Sequence, residues 1–297
     1  MSDNFKYTIA MVNLNMEDTI QQSILSIYNQ LDEDFEILVV DGGSSDKSIE
    51  KVKSLQFFLK NLRLIELKRN KKNLLGHDRN ISINESNGEY VLLHLDCDDI
   101  YAPFIKTWVK VYHIIEKAYG SDNLIMGKHI NMAKRKTLID NPYKNLQMED
   151  RELWMRLHKD NKLIEIDHLD IAYRLEKVRS KRYHETIYRT FRFCVQDLKN
   201  YPYGFLNYFF TKIFGKNNFT IRIRILNLLL MPFVFFVYLF RIDRNKVPTK
   251  SDFLKTTKNW VEFKKNKTTV KELLKAKNFT YDFNDFSEIE KEIFKIN

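Results

Sequence analysis

Asp96, Asp98 and Asp99 lie within four residues of one another. They follow an apolar run, Tyr90 to Leu95, which is short enough for a buried strand and is entered through the turn Asn87-Gly88. Carboxylates held a few ångströms apart raise one another's pKa unless a cation lies between them. Hard oxygen ligands suit Mg²⁺ or Mn²⁺, and a metal held by one or two carboxylates keeps positions open for phosphate oxygens. An acidic turn capping the next helix, with Asp98 or Asp99 as N-cap and Pro103 in the first turn, fits the same residues. The stretch alone leaves both readings open.

A second acid closes another apolar run. Phe35 to Val40 leads into Asp41-Gly42-Gly43-Ser44-Ser45-Asp46, where glycines allow close backbone approach to a ligand and Asp41 can accept from a ribose or a base N–H. A capped strand-to-helix turn would look the same.

The elements that must position these acids alternate. Tyr7 to Val12 reads as a strand, and a helix opening at Met16-Glu17-Asp18 carries Ile20, Ile24, Ile27 and Leu31 at helical spacing. Phe35 to Val40 is the next strand, followed by a helix with Ile49, Val52 and Leu55, then a strand from Leu62 to Leu67. Strands alternating with helices predict a parallel sheet with right-handed crossovers and a ligand outside the carboxyl ends of the strands. Asp41 and the Asp96–Asp99 cluster then project from one edge. Lys68 to Lys72 reads as a solvated loop or a phosphate contact.

Composition narrows the classes. The 297 residues, 44% hydrophobic, suffice for one large α/β domain or two smaller ones, which excludes a disordered chain. A net charge of +10 points to an anionic partner such as a nucleotide, nucleic acid or membrane surface. Two cysteines, Cys97 and Cys194, without metal-ligand spacing exclude a disulfide framework and a zinc site. Met1 to Lys6 lacks a signal-peptide pattern, which predicts a cytosolic amino-terminal domain.

Over residues 7–175 the order of segments resembles the inverting family-2 glycosyltransferases with the GT-A fold. The resemblance rests on the Asn-rich loop after the first strand, Ser26-Ile27-Tyr28-Asn29-Gln30, Val40-Asp41-Gly42-Gly43-Ser44-Ser45-Asp46, Gly76-His77-Asp78-Arg79-Asn80, Asn87-Gly88-Glu89-Tyr90, Leu95-Asp96-Cys97-Asp98-Asp99 with Pro103, and Met148-Glu149-Asp150-Arg151. It implies a Rossmann-like, mostly parallel sheet flanked by helices. It also implies that Asp41 contacts the base, Asp96 lies near base and ribose, Asp98 holds Mn²⁺ or Mg²⁺, and Asp150 is the catalytic base with Glu149 as a neighbour able to tune or replace it. Asn13 and Asn15 would line the nucleotide pocket and Arg79 would reach a phosphate. Two departures stand out: Gly42 follows Asp41 where many members have a second acid, and Glu176 stands where the family's Tyr-Arg-x-His stretch has His, leaving Arg174 as a phosphate candidate.

Beyond residue 176 the composition changes. Arg179, Lys181, Arg182, Arg189 and Arg192 interleave with aromatics, and an aromatic run fills residues 201–210. Ile225 to Phe240 is apolar for sixteen residues, holds Pro232, and is flanked by Arg222, Arg224, Arg241, Arg244 and Lys246. That is short of the ~20 residues of a spanning helix, so an in-plane or re-entrant membrane segment is expected; a buried core helix is the other account. Residues 247–297 read as a Lys-rich helical appendage.

The expected organisation is a catalytic domain over 1–176, a membrane-associating region over 177–246 and an appendage over 247–297. The expected protein transfers a sugar from a UDP- or GDP-linked donor to a glycan or lipid-linked acceptor, at the cytoplasmic face of a membrane as a peripheral or monotopic protein. No nucleic-acid partner is expected. The alternatives are a polyprenyl-phosphate sugar synthase and a non-catalytic basic protein that binds nucleic acid or nucleotide.

Overall fold

The structure, a computed structural model, describes residues 5–70, 72–146, 149–175, 183–199, 204–215, 220–242 and 249–296. Of the residues named above, Met1, Lys71 within the 68–72 run, Met148, Glu176, Arg179, Lys181, Arg182, residues 201–203, Arg244 and Lys246 lie outside these segments. The chain divides into two compact units, residues 1–178 with 266–297, and residues 179–265.

In the first unit the apolar runs become strands and the amphipathic segments helices, in the order β1 (Tyr7–Asn13), α1 (Ile20–Tyr28), β2 (Phe35–Asp41), α2 (Ser48–Gln56), β3 (Leu62–Glu66), α3 (Leu75–Asn84), β4 (Tyr90–Leu93), β5 (Asp99–Tyr101), α4 (Ile105–Tyr119), β6 (Leu124–Met126), β7 (Asn131–Lys134), α5 (Arg135–Asp140), α6 (Glu149–Lys159), β8 (Leu163–Glu165) and β9 (Ala172–Arg174). Seven strands form one sheet in the order β3-β2-β1-β4-β7-β6-β8. β3, β2, β1 and β4 run parallel, β7 is antiparallel to both β4 and β6, and β6 pairs parallel with β8. The mostly parallel sheet expected from the alternation is therefore present, with β7 as its reversed strand.

The parallel strands are buried on both faces, so they read as continuous apolar runs. β2 is buried along its whole length, including Glu36, whose carboxylate accepts from Thr8 Oγ1, Asn87 N and Nδ2, and Arg63 Nη1. That buried acid fastens the Asn87-Gly88 turn ahead of β4. β4 stops at Leu93, two residues before the apolar run ends, because His94 takes a left-handed φ of +64° and turns the chain out of the sheet.

Residues 266–297 do not form an appendage. α11 (Val270–Ala276) and α12 (Glu288–Ile293) bring Val270, Leu274, Phe286, Phe294 and Ile296 into the core that holds Trp108 and Tyr112 of α4. The helical spacing of Val270 and Leu274 marks a helix, but nothing in so short a period says which core it joins.

The second unit contains α7 (Tyr183–Leu198), α8 (Gly204–Phe214), α9 (Ile221–Arg241) and α10 (Lys250–Lys265). Its core consists of Cys194, Leu198, Tyr208, Met231, Val234 and Ile242. The apolar segment at 225–240 is part of a 21-residue helix, long and apolar enough over Ile221–Phe240 to cross a membrane by length and composition. Pro232 lies inside α9 without ending it, since a proline removes one backbone hydrogen bond rather than all of those around it.

Candidate active site

The carboxyl ends of β1, β2 and β4 form one edge of the sheet, and the loops leaving them hold the acids singled out from the sequence. α1 fixes the loop after β4: Ser23 Oγ donates to Asp96 O, and Thr19 Oγ1 donates to Cys97 O at 2.7 Å. Tyr101 Oη accepts from Asp96 N, and Asp98 O accepts from Leu175 N.

The three acids of this loop then divide. Asp96 Oδ2 and Asp98 Oδ1 approach a single atom, Arg174 Nη2, at 3.4 and 3.8 Å. Asp99 is fully buried and turned aside, with Oδ1 on Arg174 Nε at 3.1 Å and Oδ2 on His129 Nδ1 at 3.2 Å. Burial works to raise the Asp99 pKa, but the bonds from His129 and Arg174 outweigh it and leave the carboxyl below its ordinary value. Burial pushes Asp96 up, and its neighbours Asp98 and Asp99 add to the push against the opposing charge of Arg79.

Two carboxylate oxygens converging on one cationic atom fit a divalent cation, which is of hard-oxygen character and would relieve the repulsion that raises Asp96. Asp96 and Asp98 would hold it. No cluster of three or more His, Cys, Asp and Glu with metal-binding geometry occurs among the described residues, so such an ion would keep positions open for ligand oxygens.

The loop after β2 is built differently. Asp41 is buried at 1% exposure and accepts from Gly43 N, Ser44 N, Ser44 Oγ and Asn13 Nδ2. Its carboxylate thus shapes the 41–46 loop from inside. Gly43 has φ +85° and sits against Arg69, where a Cβ would come within 2.5 Å of the backbone. Gly42 leaves room for Asp78, whose Oδ2 would lie 2.6 Å from a Cβ at that position. Asn15 braces the same loop, donating from its backbone to Ser44 Oγ and accepting at Oδ1 from Ser45 N. Asn13 Oδ1 is buried with no hydrogen-bond partner among the described residues.

Behind this edge lies a buried ion pair. Arg79, 4% exposed on α3, donates from Nε to Glu149 Oε1 at 2.9 Å and places Nη2 4.0 Å from Asp96 Oδ1, under the ring of Tyr143. Glu149, 2% exposed, has its pKa raised chiefly by burial and further by Asp150, with Arg79 opposing. This pair links α3 and α6 and leaves the next residue, Asp150, partly exposed in the first turn of α6. The two acids of the Glu-Asp pair thus occupy different environments.

Asp78 and His94 were not singled out in the sequence as site residues. Asp78 is half of a helix opening and carries no spacing signal of its own. His94 packs beside Trp154, donates to or accepts from Tyr143 Oη at 3.0 Å, and is held neutral by burial and by Arg79. Its left-handed backbone has no sequence signature outside glycine and asparagine.

Residues 8–121 match the family described as Glycosyl transferase family 2. A Staphylococcus epidermidis teichoic acid poly(glycerol phosphate) polymerase is 31% identical over 136 residues, which are 46% of this chain and 18% of that protein. An uncharacterized glycosyltransferase of Haemophilus influenzae is 30% identical over 153 residues, 49% of this chain and 43% of that one. The matches thus span under half the length of these relatives. Among solved structures, S. aureus TarS residues 1–349 in complex with UDP-GlcNAc superposes with a TM-score of 0.52 at 17% identity, covering 95% of both chains.

Proposed function

Residues 8–121 are a family 2 glycosyltransferase domain on a GT-A fold, and from that premise we propose that the chain transfers a sugar from a UDP- or GDP-linked donor to an acceptor hydroxyl, with inversion. The observation that carries the reading is the convergence of Asp96 Oδ2 and Asp98 Oδ1 on one point at the carboxyl edge of the sheet. Mn²⁺ or Mg²⁺ bound there would supply charge to offset the departing diphosphate. Asn13 and Asn15 line the donor pocket, and Arg174 is released from the acids to meet its phosphates.

In the transfer, the acceptor oxygen forms its bond to the anomeric carbon as the bond from that carbon to the diphosphate oxygen breaks. The acceptor proton passes to Asp150, the partly exposed member of the Glu-Asp pair. Glu149 and Arg79 hold α6 in place and take no proton. The acceptor is a hydroxyl of a glycan or lipid-linked chain, which sets the enzyme at the cytoplasmic face of a membrane.

Calorimetric titration of UDP and of GDP, with and without Mn²⁺, tests this donor site. One nucleotide binds in a metal-dependent way, and Asp98→Asn weakens that binding more than about tenfold. Absence of binding by either nucleotide, or an unaffected Asp98→Asn, would sink the proposal.

A further inference from the structure

The second unit has an apolar core of its own but leaves a large apolar face uncovered. Within that core Asn227 is buried at 3% and accepts from the Cys194 thiol, while the partly exposed Asp197 accepts from Tyr208 Oη and from Lys212 Nζ at 2.6 Å. The outer faces of α8 and α9 are apolar. Along α9, Ile221, Ile225, Leu229, Phe233, Phe236 and Phe240 recur every three or four residues and are all more than half exposed, while Asn227, Met231 and Val234 face inward. On α8, Leu206, Phe210 and Phe214 form a second exposed stripe at a spacing of four. A contiguous apolar face of this kind marks a membrane or protein contact.

Charge selects between them. α8 and α9 contain no Asp or Glu, and their charged residues are Lys212, Arg222, Arg224 and Arg241. Arg222 is exposed in the first turn of α9, while the stripe from Ile225 to Phe240 carries no charge. An apolar band with cations at its margin complements an anionic lipid surface.

Packing selects the orientation. α7 and α8 cover the inner face of α9 and carry Arg189, Arg192, Asp197 and Lys212. If α9 crossed the bilayer, these charges would be drawn into hydrocarbon, where each is costly. We infer that α8 and α9 lie in the plane of an anionic membrane surface, inserting Leu206, Phe210, Phe214 and the outer stripe of α9 among the acyl chains. This rests on the surface of the second unit and is independent of the transfer reaction.

The test is flotation of the full chain with vesicles of phosphatidylcholine alone or with about a third phosphatidylglycerol. The wild type floats with the anionic vesicles and less with the neutral ones. The combined variant Leu229→Glu, Phe233→Glu, Phe236→Glu keeps its helical circular dichroism and floats more than about tenfold less. Thr220→Cys, immediately before α9, and Thr249→Cys, eight residues beyond its last residue, both react with an impermeant maleimide added outside, and the native Cys97 and Cys194 are buried. The inference is overturned if the wild type floats with neither vesicle, if the triple variant floats equally, or if the substitutions instead convert a dimer to a monomer that never bound lipid. Labelling of only one end would overturn the in-plane orientation.

Discussion

The two units differ in what they leave uncovered. In the first, Ile9, Ile37, Val39 and Leu92 are fully buried in the sheet, and the charges that enter it, Glu36, Arg79, Asp99 and Glu149, each meet an oppositely charged or hydrogen-bonding partner. In the second, the largest apolar side chains of α9 face outward and an asparagine faces inward. Burying apolar area from water explains the first unit and the core of the second around Met231 and Val234, but not the outer face of α9. The contrast teaches that packing within the second unit leaves that face without an account, which is where the inferred lipid contact can be tested.

The largest effect that sharpens this contrast concerns the chemistry. Asp150→Asn should lower the transfer rate to a hydroxyl acceptor about a thousandfold while sparing nucleotide binding. Transfer to a polyprenyl phosphate would survive the change, because a phosphate oxygen needs no strong base. Substitutions on the outer face of α9, assayed with a soluble acceptor, should leave the rate unchanged, and an equal loss there would break the division of labour between the units.

Next is the buried pair. Arg79→Met strands Glu149 without its cation and should destabilise the protein by about 3 kcal/mol in urea unfolding, with Glu149→Gln in the same background recovering part of the loss. A strut role requires that recovery. A direct phosphate contact by Arg79 would instead show as weakened nucleotide binding with no recovery.

The two faces of α9 provide an internal control. Met231→Ala, on the inner face, should cost about 2 kcal/mol. Leu229→Ser, 64% exposed on the outer face, should stay within about 0.5 kcal/mol in detergent-free buffer. If the outer change is the more damaging, the face is covered in solution and the contrast between the units fails.

The smallest effect depends on pH. The bond to Asp99 is the main reason that the His129 pKa is raised, so the folded protein holds that proton more tightly than the unfolded chain. Its contribution is complete below the ordinary value of about 6.5 and fades as pH rises through the raised one. His129→Gln should therefore lower stability by under about 1 kcal/mol near pH 5.5, a deficit that closes on titration to alkaline pH. A deficit that widens with pH would have the sign wrong.

Much of the first unit was legible because its physics is local. Apolar runs of strand length, helical spacing in α1 and the acidic ends of β2 and β4 each depend on neighbours in sequence, and together they determined the parallel sheet and the edge from which the loops of Asp41 and of Asp96 and Asp98 leave. The sequence also marked 225–240 as apolar and basic-flanked.

What tertiary structure decided were the partners. Three acids within four residues look alike until β9 brings Arg174 to all of them and His129, 30 residues away, takes the second oxygen of Asp99 and sets it apart from the other two. Glu149 and Asp150 are adjacent and chemically similar, and only α3, by supplying Arg79, makes one a buried strut and leaves the other facing water. The carboxyl-terminal residues 266–297 join the core of α4 through Val270 and Leu274 on one face of α11 and through Phe286, Phe294 and Ile296, and which core receives them is decided by the fold. A carboxylate's charge state and availability are set by what lies within a few ångströms of it, and those neighbours are chosen by the fold rather than by position in the chain.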